Sequence, residues 1–284
     1  MQKQQTFIVN ETNKLLDYII NIKKDLSKKK IKQYLKYNMI LVNDKIITNA
    51  NYIVNSNDKI TINYNKNINT FPLEILYEDK DIIAINKPSG LLSISNDKEK
   101  EITAFKLVRE YVKSNNPKTF LFVIHRLDQE TSGVLMFAKN EKTKFLFQNN
   151  WNNIVKKRLY IAIVEGKIKP SGRFHSFLKE NKAGMVYSTK NKEGKEAITD
   201  YRVLKEKDNK SILEVNILTG RRNQIRVHLS ENSHPIIGDK KYGSKIKSRL
   251  MLHAYLLELI DPRTNKLLTI KAKIPKEFEV NFDV

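Results

Sequence analysis

The stretch HRLDQETSG, residues 125–133, is the densest cluster of polar side chains in the chain. It directly follows one apolar, strand-like run, FLFVI, and precedes another, VLMFA. A polar segment between two strands either forms a turn, here with Asp128 and Thr131 capping backbone amides, or presents functional groups at the edge of a sheet. A kinase-type catalytic loop is a third interpretation, but Leu127 separates Arg126 from Asp128 and the partner motifs of a kinase are missing.

The sequence on both sides of this segment is dominated by short β-branched and aromatic runs that are joined by brief turns. These runs include ILYED, DIIAINK, LYIAIVEG, ITDYRVLKE and SILEVNILTG. Apolar residues recur at helical spacing after Thr103, across residues 140–153 and across residues 223–230. Strands and helices do not alternate regularly, as they would in a parallel βαβ winding. We therefore predict an α+β domain over residues 71–284 with a mixed, largely antiparallel central sheet.

The first 65 residues predict a separate, smaller α+β domain, in which two helices precede short strands. Ser27 can cap the second helix, whose apolar residues share one face. The other face of this helix is strongly basic and includes Lys28, Lys29, Lys32 and Lys36. The polar stretch NYNKNINT, residues 63–70, has no apolar period and predicts a linker. The expected domains are therefore residues 1–65 and 71–284.

The composition predicts a polyanionic partner and argues against several classes of chemistry. Lys and Arg total 52 and Asp and Glu total 31, so the formal net charge is +21. Cysteine is absent, which excludes disulfide scaffolds, thiolate nucleophiles, cysteine zinc sites and iron–sulfur clusters. The five histidines match no common zinc spacing and no dinucleotide-binding glycine motif occurs, so we expect no metal and no cofactor. GDKKYGSK, residues 238–245, departs from a phosphate-binding loop because its Ser and Lys are in the wrong order.

Two features of the sequence bear on the location of the protein. No apolar run approaches the roughly 20 residues of a membrane span. The start, MQKQQTFIVN, lacks the apolar region of a signal peptide. We expect a monomer in the cytoplasm with no membrane partner.

A second polar cluster, TGRRNQIRVHL at residues 219–229, follows a strand-like run and opens a predicted helix. Arg221, Arg222 and Arg226 together form a surface that can face an anion. Arg222 and Arg226 lie one helical turn apart and therefore on the same face of the helix. Arg222 can bind phosphate there, and Arg226 can turn inward to pair with a carboxylate. A solvated basic helix explains the same residues equally well.

Six ordered segments resemble the RluA family of RNA pseudouridine synthases, over about residues 71–275. They are NKPSG at 86–90, HRLDQETSG at 125–133, KRLYIAIVEG at 157–166, LTGRRNQIRVHL at 218–229, GDKKYG at 238–243 and RLMLHA at 249–254. The N-terminal segment is similar to the small S-four RNA-binding domain, although Asn38 and Asp44 stand where that domain usually has glycines. Both residue types tolerate left-handed backbone geometry. A further departure is Asn223, where the family more often has His, and a proton-transfer role at that position is therefore in doubt.

The resemblance implies that the protein isomerises uridine in RNA to pseudouridine without a cofactor or metal. Asp128 matches the family's catalytic aspartate, Tyr160 its active-site tyrosine and Arg226 the arginine that pairs with the catalytic carboxylate. Arg126 matches the side chain that fills the space of a flipped-out nucleotide. Further RNA contacts are expected from the basic and polar side chains of both domains, namely His125, Arg221, Arg222, Lys28, Lys29, Lys32 and Lys36.

Alternatives remain for both the activity and the target. A noncatalytic RNA-binding or ribosome-assembly factor would keep the fold, but it would not need Asp128, Tyr160 and Arg226 together. A hydrolase using Asp128 would need a water-activating base that the sequence does not identify. The family modifies both ribosomal and transfer RNA, and an S-four domain is more typical of the members that act on large-subunit ribosomal RNA. We therefore expect that RNA as the partner and target.

Overall fold

The computed structural model describes residues 4–36, 39–64, 72–95, 102–189 and 192–280. The chain divides into two compact units, Met1–Glu74 and Ile75–Val284. Of the predicted linker at residues 63–70, only Asn63 and Tyr64 belong to the described residues, and the rest of that prediction lies outside them. Each unit combines helices and strands, and the α+β class predicted from the sequence is confirmed.

The first unit contains a small antiparallel sheet and two helices. The strands are β1 (Gln4–Ile8), β2 (Asn13–Lys14), β3 (Ile40–Val42), β4 (Lys45–Ile46), β5 (Ile53–Val54) and β6 (Lys59–Asn63), and the helices are α1 (Leu15–Ile22) and α2 (Lys28–Lys36). Four strands pair in the order β1-β6-β3-β4, and β2 pairs with β5. The turn between β3 and β4 has a positive φ at Asn43 and at Asp44, as the left-handed tolerance of Asp44 predicted. Asn38, the other such position, lies outside the described residues.

Helix α2 separates an apolar face from a basic face. Ile31, Tyr34 and Leu35 are buried in the core of the unit. Ser27 Oγ accepts a hydrogen bond from the Lys30 amide at 3.2 Å, which confirms the predicted cap. The exposed side chains include Lys28, Lys29 and Lys32, whereas the side chain of Lys36 lies outside the described part of the chain.

The second unit is built on one large sheet in which eleven strands are described. They are β7 (Glu74–Glu78), β8 (Ile82–Lys87), β9 (Phe122–Val123), β10 (Ser132–Ala138), β11 (Val155–Glu165), β12 (Ser171–Glu180), β13 (Val186–Thr189), β14 (Lys195–Lys207), β15 (Lys210–Ile217), β16 (Leu252–Asp261) and β17 (Lys266–Lys271). The main order is β13-β12-β14-β15-β11-β16-β10-β8-β7, with β17 beside β16 and β9 beside β10. Within the described residues β10 and β16 are parallel and the other pairs are antiparallel, so the predicted mixed sheet is confirmed.

The parallel contact of β10 with β16 depends on Gly133. Its φ is +116°, and a Cβ built there would lie 2.0 Å from the carbonyl oxygen of Ala254. A side chain at this position would therefore push the two strands apart. Because Gly133 closes the HRLDQETSG segment, this close approach joins the segment directly to the centre of the sheet.

The described part of the second unit contains four α-helices, namely α3 (Ala104–Asn115), α4 (Glu141–Ile154), α5 (Gln224–Glu231) and α6 (Lys276–Val280). Thr103 caps α3 and Asn140 caps α4 by accepting amide hydrogen bonds at 3.1 and 2.8 Å, as those side chains predict. Apolar side chains of β8, β10 and β16 pack with Phe147 of α4 into one core cluster. A second cluster joins β11 and β15 to Ile225 and Leu229 of α5. The described helices include none that is both long enough and apolar enough to cross a membrane.

Candidate active site

A buried lysine fixes the loop between β9 and β10. This loop contains residues 125–131 of the polar segment. The Lys87 side chain is fully buried. Its Nζ donates to the carbonyl oxygens of Pro88 at 3.1 Å, Leu91 at 2.8 Å and Gln129 at 3.0 Å. Buried charges are stable only where hydrogen bonds replace water, and three carbonyl groups do so here. Lys87 therefore holds the residue that follows Asp128 in a fixed position.

Further hydrogen bonds hold the residue that precedes Asp128. Ser93 Oγ donates to the carbonyl oxygen of Leu127 at 2.7 Å and accepts from the Leu127 amide at 3.1 Å. The Gly90 amide donates to the Gln129 carbonyl oxygen at 2.8 Å. The NKPSG segment and the residues after it thus clamp both neighbours of Asp128, so the loop is a rigid platform rather than a simple turn.

The loop lines an open cavity of about 1750 Å³. Its walls combine the loop with β11, the start of α5, and the segment that follows α5. The residues predicted from sequence for this unit all line it, namely His125, Arg126, Asp128, Tyr160, Arg221, Arg222 and Arg226. Within the described residues, no group of three or more His, Asp or Glu side chains is arranged to hold a metal ion.

Asp128 is half-buried at the floor of the cavity and is surrounded by cations. Burial raises the pKa of its carboxyl group above the ordinary value. The charges of Arg226, Arg222, Lys87 and Arg126 act in the opposite direction, and Arg226 has the largest effect. The arrangement keeps a partly desolvated carboxylate available as a nucleophile or base.

Arg226 does not form the direct ion pair with Asp128 that the sequence predicted. Its Nε and Nη2 donate to the two carboxylate oxygens of Asp239, each at 2.7 Å, and Asp239 is 2% exposed. The guanidinium also lies 4.9 Å from the ring centre of Tyr242. Asp239 satisfies the fork of the guanidinium completely, so Arg226 acts on Asp128 only through its charge.

Asn223 supports this buried pair. Its Oδ1 accepts from Nη1 of Arg226 at 3.1 Å, and its Nδ2 donates to the Tyr242 hydroxyl at 3.0 Å. Its φ of 54° is a left-handed geometry that Asn tolerates. A carboxamide does not titrate, so the side chain at this position orients Arg226 and transfers no proton.

The remaining arginines lie nearer the mouth of the cavity. Arg126, Arg221 and Arg222 are exposed. Arg222 forms an ion pair with Glu180, which is itself well exposed. Arg221 Nε donates to the carbonyl oxygen of Glu196 at 2.8 Å. The structure therefore separates the buried Arg226 from its exposed neighbours, which excludes for Arg226 the alternative of a fully solvated basic helix.

Tyr160 is half-buried on β11 and lines the same cavity. Burial raises the pKa of its hydroxyl to about 12, and the nearby charge of Asp128 acts in the same direction. The hydroxyl is therefore protonated at neutral pH and donates hydrogen bonds. Its aromatic ring offers a flat face for a planar base.

His125 anchors a strand, which limits the RNA contact predicted for it. Its Nε2 accepts from the Met136 amide at 3.1 Å, and its ring stacks on Trp151 with the centroids 5.1 Å apart. Burial, together with the charge of Arg158, lowers the pKa of His125 to about 3. A neutral ring whose Nε2 is occupied leaves only Nδ1 for a polar contact with RNA.

Sequence analysis did not identify two residues of this site, Asp239 and Arg158. Asp239 lies in the GDKKYG segment, which resembled both the family and, less closely, a phosphate-binding loop, but neither resemblance assigned a role to its aspartate. Arg158 lies on β11, two residues before Tyr160, and both residues line the cavity. That spacing along a strand is the signal that could have identified Arg158.

Comparisons with known proteins agree with this architecture. Residues 81–231 match the family model described as RNA pseudouridylate synthase. The chain is 31% identical to an uncharacterised RNA pseudouridine synthase of Mycoplasma pneumoniae, over 99% of this chain and 95% of that protein. It is 36% identical to ribosomal large subunit pseudouridine synthase D of Borreliella burgdorferi, over 74% of this chain and 67% of that protein.

A solved structure supports the fold itself. Human RNA pseudouridylate synthase domain containing 4 superposes with a TM-score of 0.61 and 24% identity, covering 72% of this chain and 90% of that one. The fold, the ordered motifs and the relatives point to one group of enzymes. This chain belongs to the RluA family of RNA pseudouridine synthases, isomerases that convert uridine in RNA to pseudouridine.

Proposed function

We propose that the enzyme modifies uridine in large-subunit ribosomal RNA and that Asp128 is its essential carboxylate. The observation that carries the assignment of Asp128 is its position at the floor of a cationic cavity that also contains Tyr160. The ribosomal target is supported by the name of the Borreliella relative. It is also supported by the basic face of α2 in the first unit, which offers several lysines to a structured, polyanionic RNA.

The reaction needs a carboxylate and a protected space, and it is balanced without an oxidant or reductant. The N1–C1′ bond breaks, the uracil turns, and C5 bonds to C1′. The C5 proton is lost and N1 gains a proton. Asp128 attacks the sugar or the base, or accepts a proton. Its two clamped neighbours keep the carboxylate in place while the base turns.

Tyr160 and Arg226 would support Asp128 in different ways. Tyr160 presents a ring for the uracil and a protonated hydroxyl that can donate a hydrogen bond. The charge of Arg226, fixed by Asp239, opposes the rise in the Asp128 pKa that burial causes and so favours the ionised carboxylate. Arg126 is exposed beside Asp128, where it can fill the space that a flipped uridine leaves.

The target is tested by mapping pseudouridine in total RNA from cells with the gene, without it, and with it restored. We expect one or a few large-subunit ribosomal positions to lose pseudouridine without the gene and to regain it on restoration. Loss confined to transfer RNA would contradict the ribosomal target but keep the activity. No change in any RNA would contradict an RNA-modifying role in those cells.

A further inference from the structure

Four arginines of the cavity wall differ in whether a carboxylate pairs with their positive charge. Arg226 is paired with Asp239 and Arg222 with Glu180. Arg158 and Arg221 also line the cavity, but among the described residues neither forms an ion pair with a carboxylate. Their recorded side-chain partners are backbone carbonyl oxygens, so their positive charges remain uncompensated.

Arg158 is the more enclosed of the two. Its Nη2 donates to the carbonyl oxygen of Leu218 at 2.7 Å. Its Nε is buried and has no hydrogen-bond partner in the described structure. A half-buried guanidinium without a carboxylate partner carries a desolvation cost that a bound anion would offset. The fold thus retains a cation that its own side chains do not neutralise.

The segment that carries Arg221 crosses directly over Arg158. A Cβ added to Gly220 would lie 2.8 Å from Nη1 of Arg158. Any side chain at position 220 would therefore cover this part of the guanidinium. The charges of Arg158 and Arg221 also repel each other. Two uncompensated guanidinium groups on one wall form a site for a bidentate anion.

We infer that Arg158 and Arg221 together bind the RNA phosphate that flanks the flipped uridine. This inference rests on the proposed function, because the anion is identified as part of the substrate. Arg158 and Tyr160 line the same cavity and lie close enough for the charge of Arg158 to act on the Tyr160 hydroxyl, so the phosphate would lie beside the base that Tyr160 contacts. A phosphodiester supplies the charge and the two oxygen acceptors that this arginine pair lacks.

The uracil carbonyl groups are the other acceptors that could reach Arg158. They are neutral, so they would leave both charges uncompensated. A phosphodiester carries the negative charge that the two guanidinium groups lack. The observations therefore favour phosphate, and the two acceptors can be separated chemically.

The test combines a change in the RNA with a change in the protein. The probe is a synthetic RNA hairpin that contains the uridine mapped in whichever RNA the experiment above identifies. Three versions are made. One has ordinary phosphates throughout, and the other two each carry a single methylphosphonate, either 5′ or 3′ of that uridine. Single-turnover pseudouridine formation is measured at subsaturating enzyme for the parent, Arg158→Gln and Arg221→Gln. Arg173→Gln, an exposed arginine outside the cavity that is paired with Asp200, is the matched control.

We expect one of the two methylphosphonates to slow the parent enzyme by about tenfold or more, the effect of losing a charge-assisted hydrogen bond. The same replacement should slow Arg158→Gln and Arg221→Gln by less than about twofold further, because the contact is already lost. Arg173→Gln should keep the full effect. Thermal unfolding of each variant shows whether it folds. If Arg158→Gln does not fold, the methylphosphonate sensitivity of Arg221→Gln decides the test, because Arg221 is exposed.

Equal sensitivity to methylphosphonate in the parent and in both variants would overturn the inference. It would also be overturned if Arg158→Gln were slow but still fully sensitive, since Arg158 would then contact the base or support the fold. Neither result affects the proposed function, whose target and essential carboxylate are tested separately by pseudouridine mapping and by Asp128→Asn.

Discussion

The cavity of the second unit and helix α2 of the first unit are both strongly basic, but they hold their charges differently. Lys87, behind the catalytic loop, and Arg226, in the cavity wall, are buried, and each makes at least three hydrogen bonds. On α2, Lys28 and Lys32 are exposed to solvent. A buried, fixed cation changes the ionisation of a neighbour, whereas an exposed cation mainly attracts phosphate and is screened by salt. The first region should therefore control chemistry and the second should control affinity.

Replacing Asp128 with Asn should have the largest effect. The change is nearly isosteric but removes the carboxylate on which the isomerisation depends. We expect the single-turnover rate at saturating enzyme to fall by about a thousandfold or more, as when an essential catalytic group is removed. RNA affinity, measured separately, should change by no more than a few fold. Substantial turnover by this variant would show that the cavity floor is not the reaction centre.

Arg226→Ala should be far more damaging than Arg222→Ala. The first change leaves the buried carboxylate of Asp239 without its partner, which costs ~3–5 kcal/mol of unfolding free energy. The second breaks an exposed pair with Glu180, which is worth about 0–1 kcal/mol. Urea denaturation of both variants measures the difference. Similar losses would mean that burial does not distinguish these two arginines.

A double variant separates the stability effect of Arg226 from its effect on Asp128. Arg226→Met with Asp239→Leu removes the buried pair together and should recover most of the stability. Asp128 would still lack the cation that most opposes the rise of its pKa. The acid limb of the pH–rate profile should therefore move to higher pH, because the carboxyl group stays protonated to a higher pH. An unshifted acid limb would limit Arg226 to a structural role.

Three buried histidines of the second unit should make the fold sensitive to mild acid. Burial lowers the pKa of His125 to about 3 and those of His228 and His253 to about 4. Their ordinary pKa is ~6.5, so the unfolded chain takes up protons first as pH falls below that value. Stability should be fully present above pH ~6.5 and fall by up to about 4 kcal/mol per pH unit near pH 5.

Urea denaturation between pH 7 and pH 5 measures this loss. His175→Ala is the control, because the exposed His175 pairs with the exposed Glu196 and its charge is the smallest of the effects that act on the pKa of His228. That variant should keep the same dependence on pH. A stability that stays constant from pH 7 to pH 5 would contradict the neutral, buried state of the three rings.

The smallest effect is expected on α2. Replacing Lys28, Lys29 and Lys32 with Gln should weaken RNA binding and make its salt dependence shallower by about 0.7–0.9 per lost phosphate contact. The rate at saturating enzyme should not change. The control is the triple replacement of Lys167, Lys169 and Lys266, exposed lysines of the second unit outside the cavity. If both triple variants change the slope equally, α2 acts only through net charge.

Local features were predicted well from the sequence because their causes lie within a few residues. Ser27 caps α2 through the amide three residues ahead, as predicted, and Thr103 and Asn140 cap α3 and α4 in the same way. The HRLDQETSG segment lies between two strands, as its polar character predicted. These are interactions between near neighbours in the chain, and residue type alone determines them.

Features that join distant parts of the chain were not predicted. The parallel contact of β10 with β16 brings Ser132 beside His253, and no local pattern encodes that pairing. The true partner of Arg226 is Asp239, thirteen residues later, where a turn of the chain brings the carboxylate back to α5. The family resemblance predicted that Arg226 pairs with a carboxylate, but the identity of that carboxylate depends on the tertiary fold.

The full burial of Lys87 also makes it an internal reporter. Its Nζ donates to three carbonyl groups in the closed interior, so an amine-specific reagent cannot reach it in the folded enzyme. Exposed lysines such as Lys28 and Lys167 should react at once. Labelling of Lys87 should instead proceed only as fast as the NKPSG segment opens away from the catalytic loop. The rate of modification of this one amine would therefore measure how often the NKPSG segment separates from the catalytic loop.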